Sequence, residues 1–413
     1  MSSTNSREET LAGLLSHATG TVPFYHCYQQ ALLRASAETA TEQLQCFPLM
    51  DRSTLRTART GMISSQRTGA ELVMTSGTTG PPIWQIRDLT ACQARNAALE
   101  HVHQLVAPHT TWNKSAFLVP FLPDPLIRTS IRRPRHGRKR KQRIFQQEKV
   151  FSTAQPDLST SLSHWNPDIL IGAPRSLLAT AYTLTQNAEV SPKPASCALL
   201  SIDEPLLPPV KDALTDLMEG PILDLYAMRE TAPIAGFRLP DCSGFHTNDK
   251  HFYIEILNEQ QKKCLPGERG EIVITDLTNF TAPLIRYRTG DSILVRDPRC
   301  SCNLATAAPI QRIEGRISNT IHLPDGTILS VAPLVWSLAE TTSCVSSFHQ
   351  AGPHELSITL YPLTSQNPHL LNTEAQEVLH QHLGPDSKFQ INIASLNNYL
   401  SQTNGKFKFV TNK

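Results

Sequence analysis

The chain has 413 residues, 40% hydrophobic and 18% charged, with a formal net charge of +2. That length holds two or three domains and a sizeable core, and the balance excludes a disordered chain. A near-neutral total gives no global pull toward nucleic acid or a membrane surface. Residues 1–9 are polar and carry two acids, unlike a signal peptide, and no apolar run reaches the length of a membrane span. Nine scattered cysteines fit a reduced, cytoplasmic compartment better than a disulfide framework.

Residues 1–70 read as mainly helical, with apolar spacing at Leu11, Leu14 and Leu15, then Tyr25, Tyr28 and Leu32. Leu72, Val73 and Met74 form a short apolar strand that breaks into Thr75-Ser76-Gly77-Thr78-Thr79-Gly80. Hydroxyls and two glycines let backbone N–H groups approach phosphate oxygens, and a plain flexible connection is the alternative. No Gly-Lys-Ser/Thr follows, so it is not a Walker A loop. A helix is expected from Leu89 to Val106 and a strand over 116–121. Residues 128–143 then hold nine Lys/Arg and no acid. This run is either a solvated loop or a dock for polyphosphate, coenzyme A or an acidic carrier protein.

Strands are expected at 169–172, 198–202 and 221–226, with helices at about 176–185 and 209–218 between them. That alternation predicts a parallel sheet with right-handed crossovers, and such sheets hold ligands at the carboxyl ends of their strands. The second strand runs into Asp203-Glu204-Pro205. The third ends at Tyr226, able to stack on a nucleobase, with Glu230 able to hold Mg²⁺. A packed tyrosine and a surface glutamate are the alternative. Strands of antiparallel character are expected at 251–257, 270–275, 284–287 and 293–296. Between the last two, Thr289-Gly290 is read as a turn presenting Asp291, whose carboxylate could accept from two vicinal hydroxyls. Cys242-x₃-His246 and Cys300-x-Cys302 together make a Cys₃His set suited to structural Zn²⁺, with unbonded loop thiols as the alternative.

Thr75-Ser76-Gly77-Thr78-Thr79-Gly80 resembles the phosphate loop of the adenylate-forming enzymes, the acyl-CoA synthetases and their relatives. Four further elements follow in that superfamily's order. Tyr226 and Glu230 resemble its Tyr-Gly-x-Thr-Glu element, with Ala227 and Arg229 standing where glycine and threonine are usual. Tyr287-Arg288-Thr289-Gly290-Asp291 matches a specific string, preceded by Pro266-Gly267-Glu268-Arg269-Gly270-Glu271. Gly315-Arg316 resembles the hinge entrance, although Ser318 and Asn319 replace the usual acidic hinge residue. Gly405-Lys406 resembles the terminal swinging lysine. The wording around these strings is most similar to the phenylacetate–CoA ligase group, some of whose relatives also carry cysteines before the hinge.

The resemblance implies an α/β fold. Its large N-terminal domain, 1–316, would combine mixed sheets, flanking helices and a small antiparallel subdomain, followed by a small C-terminal α+β lid, 317–413. It implies an ATP- and Mg²⁺-dependent ligase that converts a small carboxylic acid, aromatic or other, to an acyl-adenylate. Coenzyme A is the first expected acceptor, an amine or carrier-protein thiol the second, and a non-catalytic nucleotide-binding relative is the further alternative. By the same resemblance, residues 75–80 hold phosphates, Glu230 holds Mg²⁺, Tyr226 and Asp203-Glu204-Pro205 meet adenine, Asp291 and Arg316 fix ribose, and Lys406 neutralises the transition state.

Overall fold

The computed structural model describes residues 2–35, 39–66, 70–74, 83–106, 114–119, 141–146, 161–162, 164–186, 197–231, 234–296, 302, 304, 308–352, 354–401 and 407–412. The phosphate loop, Cys300, Lys406 and most of the basic run lie outside them. The chain folds as two compact units, Met1–Leu105 with Leu225–Ile313, and Val106–Asp224 with Glu314–Lys413.

In chain order the first unit opens with four helices: α1 (Ser2–Thr21), α2 (Gln29–Arg34), α3 (Ala40–Gln43) and α4 (Arg52–Ala58). Leu11, Leu14, Leu15 and Ala18 place one apolar stripe of α1 in a core with Tyr25, Phe47 and Met50, as the spacing predicts. Asp51 caps α4 by accepting from the Thr54 amide at 2.8 Å. The hairpin β1 (Ala70–Met74) and β2 (Trp84–Asp88) follows, then α5 (Leu89–Val106).

In the second unit, β3 (Lys114–Val119), β4 (Lys141–Gln146), β5 (Ile169–Gly172), β6 (Ala198–Ser201) and the start of β7 (Ile222–Ala227) run parallel, in the order β4-β3-β5-β6-β7. The parallel sheet is therefore as expected, with helices α6 (Pro174–Gln186) and α7 (Pro208–Leu217) as crossovers. The described end of the basic run, residues 141–143, lies in strand β4, which pairs with β3.

Strand β7 carries the chain back to the first unit at Leu225. There β8 (Ile234–Arg238) pairs with β9 (His246–Thr247), and β10 (Phe252–Leu257), β11 (Arg269–Asp276), β12 (Tyr287–Val295) and β13 (Ile310–Arg316) form the antiparallel sheet in chain order. Phe252, Ile254, Ile272, Ile274, Ile293 and Val295 bury its inner face. Two expected strands are one here. Residues 284–286 are not a strand, because Arg286 has a positive φ of 50° and its guanidinium is held by Glu255 and the Phe47 carbonyl. Residues 289–291 are not a turn either. The register passes from Glu271 opposite Ser292 to Val273 opposite Arg288, so the three residues bulge opposite Ile272 while β12 continues. Gly290, with φ of 74°, supplies the left-handed step.

The second unit closes with the hairpin β14 (Thr320–His322) and β15 (Ile328–Ser330), helix α8 (Ala332–Thr342), β16 (Cys344–Gly352), β17 (Glu355–Pro362), α9 (Pro368–Leu383), β18 (Gln390–Ile393), α10 (Leu396–Leu400) and β19 (Val410–Asn412). Its four-stranded sheet has the order β18-β17-β16-β19, antiparallel in the middle and parallel at both edges. Leu334, Val335, Trp336 and Leu338 of α8 join Phe348, Ile358 and Leu360 in one core that also contains Leu177, Leu199 and Leu214. Each such side chain contributes about 2 kcal/mol by leaving water. This segment is α+β, as expected. Among the described residues no helix is long and apolar enough to cross a membrane.

Candidate active site

Tyr226, next to last in β7, has 9% of its surface exposed, and its hydroxyl donates to Asp291 Oδ2 at 2.6 Å. The β12 bulge turns Asp291 to that meeting. Its amide is held by Thr289 Oγ1 at 3.1 Å, and Thr289 in turn donates to the Ile272 carbonyl. Two residues separated by 65 positions in sequence therefore share one short, charge-assisted hydrogen bond.

Glu230 lies four residues beyond Tyr226, and is buried. Its Oε1 accepts from Arg52 Nη2 at 2.6 Å and Nε at 3.0 Å, and from the Tyr287 hydroxyl at 3.4 Å. Arg52 comes from the first turn of α4, immediately after its cap. The backbone around Glu230 is fixed by a second arginine, Arg87 on β2. Its Nη2 donates to the Thr231 carbonyl at 2.7 Å and also contacts the Arg229 carbonyl. Burial pushes the Arg87 guanidinium below its ordinary value, with Arg95 adding to the effect. Arg229 reaches the Met74 carbonyl at 3.4 Å, so the residue that replaces the usual threonine touches the end of β1. The loop that follows Met74 lies outside the described residues.

In the second unit, the carboxyl ends of neighbouring strands β5 and β6 carry the next group. Asp203 has φ of 74°, a left-handed conformation costing a non-glycine about 1–2 kcal/mol. Glu204 Oε1 accepts from the backbone amide of Phe407 at 2.7 Å. Gly315, immediately before Arg316, has φ of 130°, a backbone conformation that other residues rarely adopt. Trp336 Nε1 donates to the Glu314 carbonyl at 3.2 Å, one residue before that glycine in β13.

A separate cluster lies in the first unit. His246 on β9 is buried, and its Nε2 is 3.2 Å from both Cys242 Sγ and Cys302 Sγ. All three ligand atoms fall within 4.8 Å of one another. Two such ligands on one tetrahedral zinc ion are about 3.5 Å apart, so the donor set fits. The loop before His246 reaches β13 closely: Phe245 N donates to the Ile310 carbonyl at 2.8 Å. A Cβ on Gly244 would lie 2.4 Å from that carbonyl oxygen, so glycine is what lets this loop pass so close to β13.

The structure thus brings together Tyr226 with Asp291, Glu204 with Phe407, and Cys242 with His246 and Cys302. Three arginines, Arg52, Arg87 and Arg175, escaped sequence reading, and a fourth, Arg229, was read there only as a departure from a motif. Arg87 shows as a charge in the alternating strand Trp-Gln-Ile-Arg-Asp, and Arg175 follows Pro174 at a strand's carboxyl end. Arg52 follows a capping aspartate, and Arg229 departs from a motif. Each is visible as a residue, and none announces its partner.

The fold is that of the adenylate-forming ligases. A crystal structure of 2-hydroxyisobutyryl-CoA ligase in the postadenylation state, in complex with R3-HIB-AMP, matches 98% of this chain and 89% of its own, with a TM-score of 0.72 at 16% identity. The anthranilate CoA ligase AuaEII in complex with anthranoyl-AMP matches over 81% of this chain and 65% of its own, with a TM-score of 0.53 at 14% identity. The amide bond synthetase McbA from Marinactinospora thermotolerans matches over 78% and 65%, with a TM-score of 0.50 at 13% identity. No protein-family model matches the sequence, and no curated protein sequence matches it.

Proposed function

We propose that the protein is an AMP-forming ligase that activates a small carboxylic acid with ATP and passes the acyl group to a second nucleophile. An oxygen of the carboxylate attacks the α-phosphorus, the bond to the β-phosphate breaks, and pyrophosphate leaves. The acceptor then attacks the acyl carbonyl and AMP departs. Positioning and charge neutralisation supply nearly all the catalysis in such a step. The meeting of Tyr226 with Asp291 is the observation that carries this reading, because it joins an aromatic ring and a hydroxyl-accepting carboxylate as a nucleoside requires.

Roles follow the sequence resemblance. Thr75, Ser76, Gly77, Thr78, Thr79 and Gly80 receive the phosphates, Tyr226 and Asp203-Glu204-Pro205 face adenine, and Asp291 and Arg316 hold ribose. Lys406 neutralises charge at the α-phosphate. Glu230 is the carboxylate that would hold Mg²⁺, which neutralises phosphate charge when bound. Since Arg52 is paired with that carboxylate, metal and guanidinium compete for it. Residues 317–413 act as the lid. Cys242, His246, Cys302 and Cys300 hold a structural Zn²⁺, leaving no open position for chemistry. Coenzyme A is the proposed acceptor, with an aromatic or other small acid as substrate, in the cytoplasm. An amine or carrier-protein thiol is the second reading, and the basic run suits a phosphate-tailed acceptor or an acidic carrier.

The test is ATP–pyrophosphate exchange across aryl, fatty and amino acids, with Lys406→Ala alongside. Exchange with one acid class, reduced at least ~100-fold in the variant, is the expected result. A protein that binds ATP but exchanges with no acid would instead be a non-catalytic nucleotide binder.

A further inference from the structure

Two described hydrogen bonds tie the C-terminal segment to residues that follow the adjacent strands β5 and β6, and both involve charged side chains, Arg175 and Glu204. Strand β5 ends at Gly172, opposite Ser201 of β6. Arg175 opens the helix after β5, and Glu204 follows β6. Arg175 is 2% exposed, among the largest fully buried side chains, and its Nη1 donates to the Leu400 carbonyl at 3.4 Å. Glu204 Oε1 takes the Phe407 amide at 2.7 Å. A guanidinium buried this deeply is costly unless its hydrogen bonds serve the fold or the site. The left-handed backbone at Asp203, which turns the chain into Glu204, is a second local cost at the same place.

An aromatic cluster completes the attachment. Tyr399 lies tilted against Tyr361 at 5.7 Å and edge-on to Phe407 at 5.1 Å, and Phe407 meets Phe409 edge-on at 4.9 Å, measured between ring centroids. Tyr399 is buried, and burial pushes its hydroxyl well above the ordinary tyrosine range. The Glu204 charge adds to that rise and Arg175 opposes it, so both ionic side chains lie within electrostatic reach of the same ring. The amide that Glu204 holds belongs to the peptide joining residue 406 to residue 407, and the other attachment lies seven residues earlier in the chain.

We propose that Glu204 and Arg175 are positioning residues that fix the C-terminal segment on the ends of β5 and β6, and so set where Lys406 can reach. The part concerning Lys406 rests on the proposed adenylation; the attachment itself does not. Glu204 then serves the terminal segment through its carboxylate, a duty separate from any contact that its backbone makes with a nucleotide.

Amide hydrogen exchange of the full chain, followed by mass spectrometry, tests the attachment without any substrate. In Glu204→Ala the peptide covering 400–412 exchanges ~10-fold faster or more. Glu204→Gln keeps an oxygen acceptor and recovers most of the protection. Peptides of β5, β16 and β17 keep wild-type rates in both variants. Unchanged exchange at 400–412 in Glu204→Ala overturns the proposal, as does loosening spread evenly over β16 and β17. Arg175→Met adds a second reading of the same peptide if it folds, and the Glu204 pair decides the matter if it does not.

The link to Lys406 is read on an acid that supports exchange in the wild type. Glu204→Ala slows pyrophosphate exchange ~10-fold more than acyl transfer from a preformed adenylate, since a misplaced group costs the step that uses it. Equal losses in both half-reactions overturn that link. If the wild type exchanges with no acid, the functional reading fails while the protection result still decides the attachment.

Discussion

At the residue scale, the Arg52–Glu230 pair governs the candidate metal carboxylate. Arg52 is one-fifth exposed and Glu230 almost wholly buried, so removing the arginine leaves Glu230 Oε1 with the Tyr287 hydroxyl alone among the described side chains. Arg52→Met is expected to cost about 2 kcal/mol in urea unfolding, the scale of a hydrogen bond to a charged group. Adding Glu230→Gln should restore part of that loss, and strict additivity of the two changes would show that the pair is not coupled. His251 gives a pH signature. Burial, then the nearby Lys250 charge, lowers its imidazole to about 4, from 6.5 ordinarily. The unfolded chain therefore takes up this proton first as pH falls. Stability from this group is complete above about pH 6.5 and declines as pH drops toward about 4. Thermal melts from pH 7 to 4.5 should show a shallower decline in His251→Gln, and parallel profiles would assign the acid limb to other groups.

At the scale of elements, Cys242, His246 and Cys302 converge from the loop before β9, β9 itself and the residues before β13, so the proposed zinc would staple them together. Purified protein is expected to contain one zinc per chain. Cys242→Ser or His246→Ala should lose it and lower the melting temperature by about 5–10 °C. A metal-free wild type with an unchanged melting temperature would leave only packed thiols. Much at this scale was legible. Helices α5, α6 and α7 and strands β5, β6 and β7 follow from periodicity, Pro at helix starts and short apolar runs. The continuous β12 was not. Leu284 and Ile285 look like a strand because they are apolar, yet they are buried in the core of the N-terminal helices. Thr289-Gly290 looks like a turn because bulges and turns use the same glycine conformation.

At the scale of the whole molecule, ordered motifs carried the fold. The α/β fold expected from five short strings between Thr75 and Lys406 agrees with a structural likeness covering 98% of the chain. Which segments would pack together was less legible. Residues 106–224 and 314–413 share one core, because apolar spacing marks a buried face without naming the face that covers it. The site was legible as residue types, in Tyr226, Glu230 and Asp291. The arginines that hold Glu230 and its backbone come from positions 140 or more residues away, and nothing local marks them.

The claim that the carboxylate attacks the α-phosphate is tested most directly by isotope transfer. An acid that supports exchange is prepared with ¹⁸O in its carboxylate and turned over once with ATP and an acceptor. One ¹⁸O is expected in AMP and none in pyrophosphate. Label in inorganic phosphate, with ADP as the other product, would place the attack at the γ-phosphate and contradict it.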